Sequence, residues 1–205
     1  MYKFIKRLFD FISAFCLFIV ISPMFLFIML LVRIKIGKPV FFKQERVTKD
    51  LKNFYIIKFR TMTNARDDNG NYLPDEQRLT GFGKFLRSTS LDELPELINI
   101  IKGDMSVIGP RPLPAEYNDY YTDYESERFK VSSGLIPPEV LYNTVFPSWD
   151  EQLKYEAEYA NNNSVKLDLK VMVAVFKVLF GRYSNDFGQY VREPLSIERR
   201  EKERV

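Results

Sequence analysis

The sequence predicts an α+β chain: an N-terminal re-entrant membrane helix of the helix-break-helix kind, followed by a small, helix-rich cytoplasmic domain with a few short strands and interfacial amphipathic helices. Three observations carry this. A long apolar run fills Leu8 to Val32, Asn53 to Met62 alternates with period two, and two later segments repeat apolar residues at helical spacing. The implied division is 1–38 for the membrane helix, 39–191 for the cytoplasmic domain and 192–205 for a charged tail.

The apolar run is interrupted by charge or hydroxyl only at Asp10, Ser13 and Ser22. About 24 helical residues measure roughly 36 Å, enough for a hydrocarbon core of about 30 Å. Arg33, Ile34 and Lys35 follow it, where a cleaved leader needs small residues. Ser22-Pro23 falls near its middle, and proline removes a backbone donor there. Lys3, Lys6 and Arg7 precede the run, while Arg33, Lys35, Lys38 and Lys43 follow it. Positive charge at both ends favours both ends on the cytoplasmic side. A helix that enters, breaks at Ser22 and Pro23 and returns meets both conditions; a single span and a soluble core helix are the alternatives. Asp10 is expected to pair with Lys6 or Arg7.

Beyond the run, Pro39 to Lys43 reads as a short strand and Lys49 to Asn53 as a turn. Asn53 to Met62 is a strand, with Tyr55, Ile57 and Phe59 on one face and Lys58 and Arg60 on the other. Ala65 to Asp75 is a mobile loop by composition. Gln77 to Arg87 is helical. Ser90 to Lys102 is an amphipathic helix through Leu94, Leu97, Ile98 and Ile101, stopped by Gly103. Met105 to Pro112 is a rigid strand-and-loop piece and Glu116 to Val131 a surface helix. Gly134 to Trp149 is irregular, with three prolines. Gln152 to Ala160 is a short helix, and Val165 to Tyr183 a long apolar one, placed either in the core or at the membrane interface.

Composition narrows the chemistry. The chain has no histidine and one cysteine, which excludes histidine acid/base catalysis, histidine metal sites, cysteine zinc clusters and internal disulfides. A net charge of +3 over 205 residues gives no case for nucleic-acid binding. Catalysis falls to carboxylates, Lys, Arg, Tyr or a hard cation such as Mg²⁺.

Three clusters carry candidate chemistry. Arg87-Ser-Thr-Ser-Leu-Asp92-Glu93-Leu-Pro95-Glu96 opens the amphipathic helix, where Asp92 and Glu93 suit a divalent cation or an attack on phosphorus, and Arg87 suits phosphate oxygens. The same residues also read as a capping box between Ser90 and Glu93, although a helix start nearer Asp92 accommodates Pro95 better. Gly109-Pro110-Arg111-Pro112 restrains one guanidinium between two prolines; it reads equally as a rigid turn with an incidental arginine. Lys58 and Arg60 on one strand face suit phosphate, or are a solvated strand edge.

Jointly, these residues resemble the bacterial sugar transferase family, the small monotopic phosphoglycosyl transferases. The resemblance rests on Lys6-Arg7-Leu-Phe-Asp10, Ser22-Pro23, Lys58-Phe-Arg-Thr-Met62, the Arg87–Glu96 cluster, Lys102-Gly-Asp-Met-Ser-Val-Ile-Gly-Pro-Arg-Pro112 and Asp168-Leu-Lys-Val-Met172. It implies a re-entrant helix in the bacterial inner (cytoplasmic) membrane with the active site on the cytoplasmic face. It also implies a Mg²⁺-dependent ping-pong transfer from a UDP-sugar to a polyprenol phosphate such as undecaprenyl phosphate. In that transfer Asp92 is the nucleophile, Glu93 holds the metal or accepts a proton, and Arg87, Lys58, Arg60 and Arg111 bind phosphate. The sugar and the oligomeric state stay open.

The family commonly continues with Pro-Gly-Ile/Leu-Thr-Gly and a run ending in Gly-Arg. Here Ser133-Gly-Leu-Ile-Pro-Pro-Glu-Val-Leu-Tyr-Asn-Thr144 keeps only Gly134 and Leu135. An arginine in that stretch is expected to meet the donor, and Arg128 or Arg182 are the candidates to replace it. The alternatives to an active transferase are a membrane-anchored protein binding anionic lipid, or a weakly active relative.

Overall fold

The computed structural model describes residues 2–142, 147–180 and 192–202. Helix α1 spans Tyr2–Lys35 without interruption, Pro23 included. The expected break at Ser22 and Pro23 is therefore no gap in helical structure, and the reason is local. Proline leaves the carbonyl four residues earlier without its usual donor, and the Ser22 hydroxyl supplies one, donating to the Ile19 carbonyl at 2.8 Å.

Strands β1 (Phe41–Val47) and β2 (Asn53–Phe59) form an antiparallel hairpin, Phe41 opposite Phe59 and Val47 opposite Asn53. The 3₁₀ turn between them puts Asp50 and Leu51 in the left-handed region. Short α2 (Asp75–Arg78) leads to α3 (Gly81–Ser88), capped by Thr80, whose hydroxyl accepts the Gly83 N–H at 2.9 Å. A 3₁₀ turn at Leu91–Glu93 precedes α4 (Glu96–Lys102), which ends at left-handed Gly103. Within the loop 65–75 the Asp67 carboxylate accepts the N–H groups of Asn69 and Asn71 at 3.0 and 2.8 Å.

Strand β3 (Ser106–Ile108) pairs in parallel with β4 (Gly134–Ile136). The expected continuous helix between them is instead two 3₁₀ segments around α5 (Asp123–Ser126). Two longer helices follow, α6 (Trp149–Asn162) and α7 (Val165–Phe180), and α8 (Leu195–Lys202) ends the described chain. The rest of the long helix expected to Tyr183, with Arg182, lies outside the described residues, as do 143–146 and the remainder of the tail.

One stripe of α1, with Asp10, Ala14, Phe25, Ile28 and Val32 buried and Phe18 and Ile21 half-buried, packs along the domain. Its members are three or four residues apart, the repeat of a single helical face. The forward half meets Phe54, Ile56, Leu97, Ile100 and Met105; the rear half meets Phe59 and Leu86. The opposite face stays apolar and exposed through Phe4, Leu8, Ile19, Val20, Leu26 and Phe27. Polar ties secure the front. Asp10 does not make the expected pair with Lys6 or Arg7 among the described residues; it accepts the Ser106 hydroxyl at 2.7 Å and the Val107 N–H at 3.1 Å. Lys6 instead reaches Asp168 on α7 at 3.0 Å. Arg7 donates to the carbonyls of Ile100 and Ile101 at the end of α4, a favourable place for a cation. Helix α7 buries Val171 and exposes Val165, Leu169, Val173 and Phe176, again at helical spacing.

Candidate active site

The hairpin, α3 and the Leu91–Glu93 turn enclose an open cleft of 1180 Å³. Of the six candidates, Lys58, Arg60, Arg87, Asp92 and Glu93 all line it. Arg111 stands at its edge, with Nη2 3.8 Å from Glu93 Oε1. Residues separated by more than fifty positions are thus brought to one place by three local devices.

The first is a turn under strain. Ser90 adopts φ 53°, ψ 18°, a left-handed conformation costly for a side-chain-bearing residue, and its side chain caps nothing. The anticipated capping box between Ser90 and Glu93 is therefore absent, and the tight turn leaves Asp92 and Glu93 free for the cleft. The second is Gly83. A Cβ there would stand 1.9 Å from the Thr61 carbonyl oxygen, so only glycine lets α3 lie this close to the end of β2. That approach lets Arg87 Nε donate to the Thr61 hydroxyl at 3.1 Å, which aims the guanidinium along the cleft. The third is Lys58, whose Nζ sits 2.6 Å from Glu93 Oε1 and 3.2 Å from Glu96 Oε1.

Burial and charge set the carboxylates apart. Asp92 is 9% exposed and has no ion pair among the described residues. Burial raises its pKa; Lys58 and Arg87 oppose the rise and Glu93 adds to it. For Glu93 burial acts in the same direction, but Lys58 and Arg111 outweigh it and hold this carboxyl below its ordinary range. Glu96 is pushed up to about 7 by burial, with Lys58 opposing and Glu93 reinforcing. One lysine shared by two acids leaves Glu93 as the firm carboxylate and Glu96 as the one that readily takes a proton.

Arg60 differs from the other cations. Its Nε donates to the Met62 carbonyl at 2.7 Å and its Nη1 to that of Lys38 at 2.5 Å, and it is 7% exposed. It ties the end of β2 to the chain entering β1, so its charge reaches the cleft while its donors are largely committed. Sequence reasoning passed over Glu96, Thr61 and Arg46. Arg46 lines the cleft on β1, with its pKa lowered by burial and by nearby Arg111. Glu96 closes the Arg87–Glu96 cluster, three residues beyond Glu93 on the same helical side, the one signal that could have singled it out.

The proposed replacement for the missing donor arginine does not hold for Arg128. Its side chain is 2% exposed and paired with Glu156 at 2.8 Å, away from the cleft.

Among the described residues no three acidic, cysteine or histidine side chains converge on one metal position. The oxygens of Asp92 and Glu93 nonetheless fit Mg²⁺, which commonly takes one or two carboxylates and completes its shell with water and substrate phosphate. The cleft sets these two acids beside Lys58, Arg46 and Arg87, with Arg111 at its edge, an arrangement whose chemistry suits a polyanionic ligand.

Comparison with known proteins points to a family. A family model described as Bacterial sugar transferase matches residues 1–182. The Uncharacterized sugar transferase EpsL of Bacillus subtilis (strain 168) is 44% identical over 176 residues, covering 85% of this chain and 87% of that protein. The UDP-glucose:undecaprenyl-phosphate glucose-1-phosphate transferase of Klebsiella pneumoniae is 36% identical over 183 residues, covering 84% of this chain but 39% of that longer protein. The UDP-N-acetylgalactosamine-undecaprenyl-phosphate N-acetylgalactosaminephosphotransferase of Aeromonas hydrophila is 32% identical over 187 residues, covering 87% and 43%.

Proposed function

Because the chain belongs to the bacterial sugar transferase family, we propose that it moves a sugar-1-phosphate from a UDP-sugar to undecaprenyl phosphate, in two displacements through Asp92. In the first, a carboxylate oxygen of Asp92 bonds to the β-phosphorus. The bond from that phosphorus to the bridging oxygen breaks, and UMP leaves with the electron pair. In the second, an oxygen of the polyprenol phosphate bonds to the same phosphorus and the aspartyl–phosphorus bond breaks, freeing the carboxylate and giving a polyprenyl diphosphosugar.

The observation that carries this reading is a buried Asp92, without an ion pair among the described residues, in a cleft rich in cations. Phosphoryl transfer asks mainly for positioning and charge neutralisation, so a chain without histidine can perform it. Lys58, Arg87 and Arg111 neutralise phosphate oxygens, and Glu93, its carboxyl held below the ordinary range by Lys58 and Arg111, stays ionised for the cation. Mg²⁺, held by Asp92 and Glu93, would add neutralisation of the diphosphate.

The packing of α1 supports a helix that enters and leaves on one side of the membrane, and the basic residues at both its ends favour the cytoplasmic side of the inner membrane. Both halves of the helix lie against the same domain, so a crossing of the bilayer would carry that domain's polar surface with it. The exposed stripe of α7 adds a second apolar contact with the bilayer. A lipid acceptor then meets a water-soluble donor at one cleft.

The test uses the detergent-purified chain with undecaprenyl phosphate, Mg²⁺ and a panel of UDP-sugars, following UMP release. Release with at least one donor, lost in Asp92→Asn while membrane association persists, is expected. No release from any donor would favour an anchored lipid-binding protein or an inactive relative.

A further inference from the structure

Arg111 is gripped by its backbone. Glu156, on α6, accepts the Arg111 N–H through Oε1 at 2.9 Å. Arg128 donates through Nη2 to the Arg111 carbonyl. Glu156 and Arg128 form a buried ion pair at 2.8 Å, their side chains 0% and 2% exposed. The pair is itself anchored: Gln152 Nε2 donates to Glu156 at 3.0 Å, and Arg128 Nη1 donates to the Tyr121 hydroxyl at 3.0 Å. One charged pair from two distant elements thus holds both polar groups of a single residue, with Pro110 and Pro112 on either side.

The Arg111 side chain is the opposite case. It is 54% exposed and points at Glu93. The clamp fixes where this cation starts without touching the cation.

The charges themselves give stability little reason for such a pair. Removing two charges from water costs several kcal/mol per ion, and apolar residues of similar volume often replace a buried pair without loss. Placement of a phosphate-binding group does give a reason, because displacement by about 1 Å at a reacting centre can cost roughly a hundredfold in rate.

We propose that Arg128 and Glu156 are positioning residues for Arg111, fixing its guanidinium beside Glu93 for the phosphoryl groups of the donor. This rests on the transferase reading above. It also gives Arg128 a part in the site through Arg111 rather than through the donor.

The test compares the full-length chain with Arg128→Met/Glu156→Leu, with Arg111→Ala, and with all three substitutions together. The double variant is expected to stay folded with a modestly lower melting temperature, since the Arg111 N–H and carbonyl lose their partners, while kcat for UMP release falls about tenfold or more. The triple variant should be no slower than Arg111→Ala, since a clamp without its arginine has nothing left to place. If the double variant fails to accumulate, Arg128→Lys carries the same comparison, because it keeps charge beside Glu156 but loses the fork that reaches the carbonyl. A double variant with wild-type turnover, or losses that multiply in the triple, would overturn the proposal. A wild-type chain that releases no UMP would instead remove the transferase reading, and this proposal with it.

Discussion

The Ser22 hydroxyl donates to the Ile19 carbonyl at 2.8 Å, one residue before a proline that has no N–H to offer that carbonyl. In an apolar segment an unsatisfied carbonyl is costly, and this bond is what lets α1 remain a helix from Tyr2 to Lys35. Ser22→Ala is therefore expected to destabilise the chain by about 1–3 kcal/mol. Adding Pro23→Ala should recover most of the loss, because the new N–H serves the same carbonyl. Melting in detergent checks both, and a neutral Ser22→Ala would refute this account. In vesicles, cysteines introduced in place of Lys3 and Lys38, with Cys16→Ser, should label from one side only; labelling from opposite sides would mean a full crossing.

Glu96 provides a pH signature. Burial pushes its pKa from an ordinary 4.5 up to about 7. Between those values the folded chain keeps a proton that the unfolded chain has released, so stability falls as pH rises through that window and levels off above about 7. At about 1.4 kcal/mol per unit, the loss is at most roughly 3–4 kcal/mol. Denaturant titrations at pH 5 and 8 should show a larger drop for wild type than for Glu96→Gln. Equal drops would place the proton elsewhere.

Gly83→Ala tests the close approach behind the site. Its Cβ would meet the Thr61 carbonyl oxygen at 1.9 Å, which forces α3 outward and carries Arg87 from the Thr61 hydroxyl. Destabilisation of about 1–3 kcal/mol is expected, together with reduced turnover. An Ala variant with unchanged kcat would mean that Arg87 does not depend on this contact.

Metal removal tests the donor set of Asp92 and Glu93. EDTA should abolish UMP release and Mg²⁺ restore it, whereas Ca²⁺, which prefers a larger shell of six to eight oxygens, should restore less. Full turnover in chelator would remove the cation from the mechanism.

What the sequence determined by itself was whatever local pattern controls. The apolar length of α1, the alternation of β2, the end of α4 at Gly103 and the gathering of Arg87, Asp92 and Glu93 in one short stretch all follow from residues a few positions apart. The tertiary structure decided the partners of the charged groups. Asp10 turned from the neighbouring Lys6 and Arg7 to Ser106, 96 residues away. Lys58 was divided between Glu93 and Glu96, and Arg128, a candidate for the donor, was buried against Glu156. Ser90 and Glu93 had the spacing of a cap, yet the turn put Ser90 in the left-handed region and freed Glu93 for Lys58. Periodicity fixes which face of an element is apolar, because burial rewards every residue on that face in the same way. A buried charge needs one particular partner at hydrogen-bond distance, and only the packed chain brings that partner within reach.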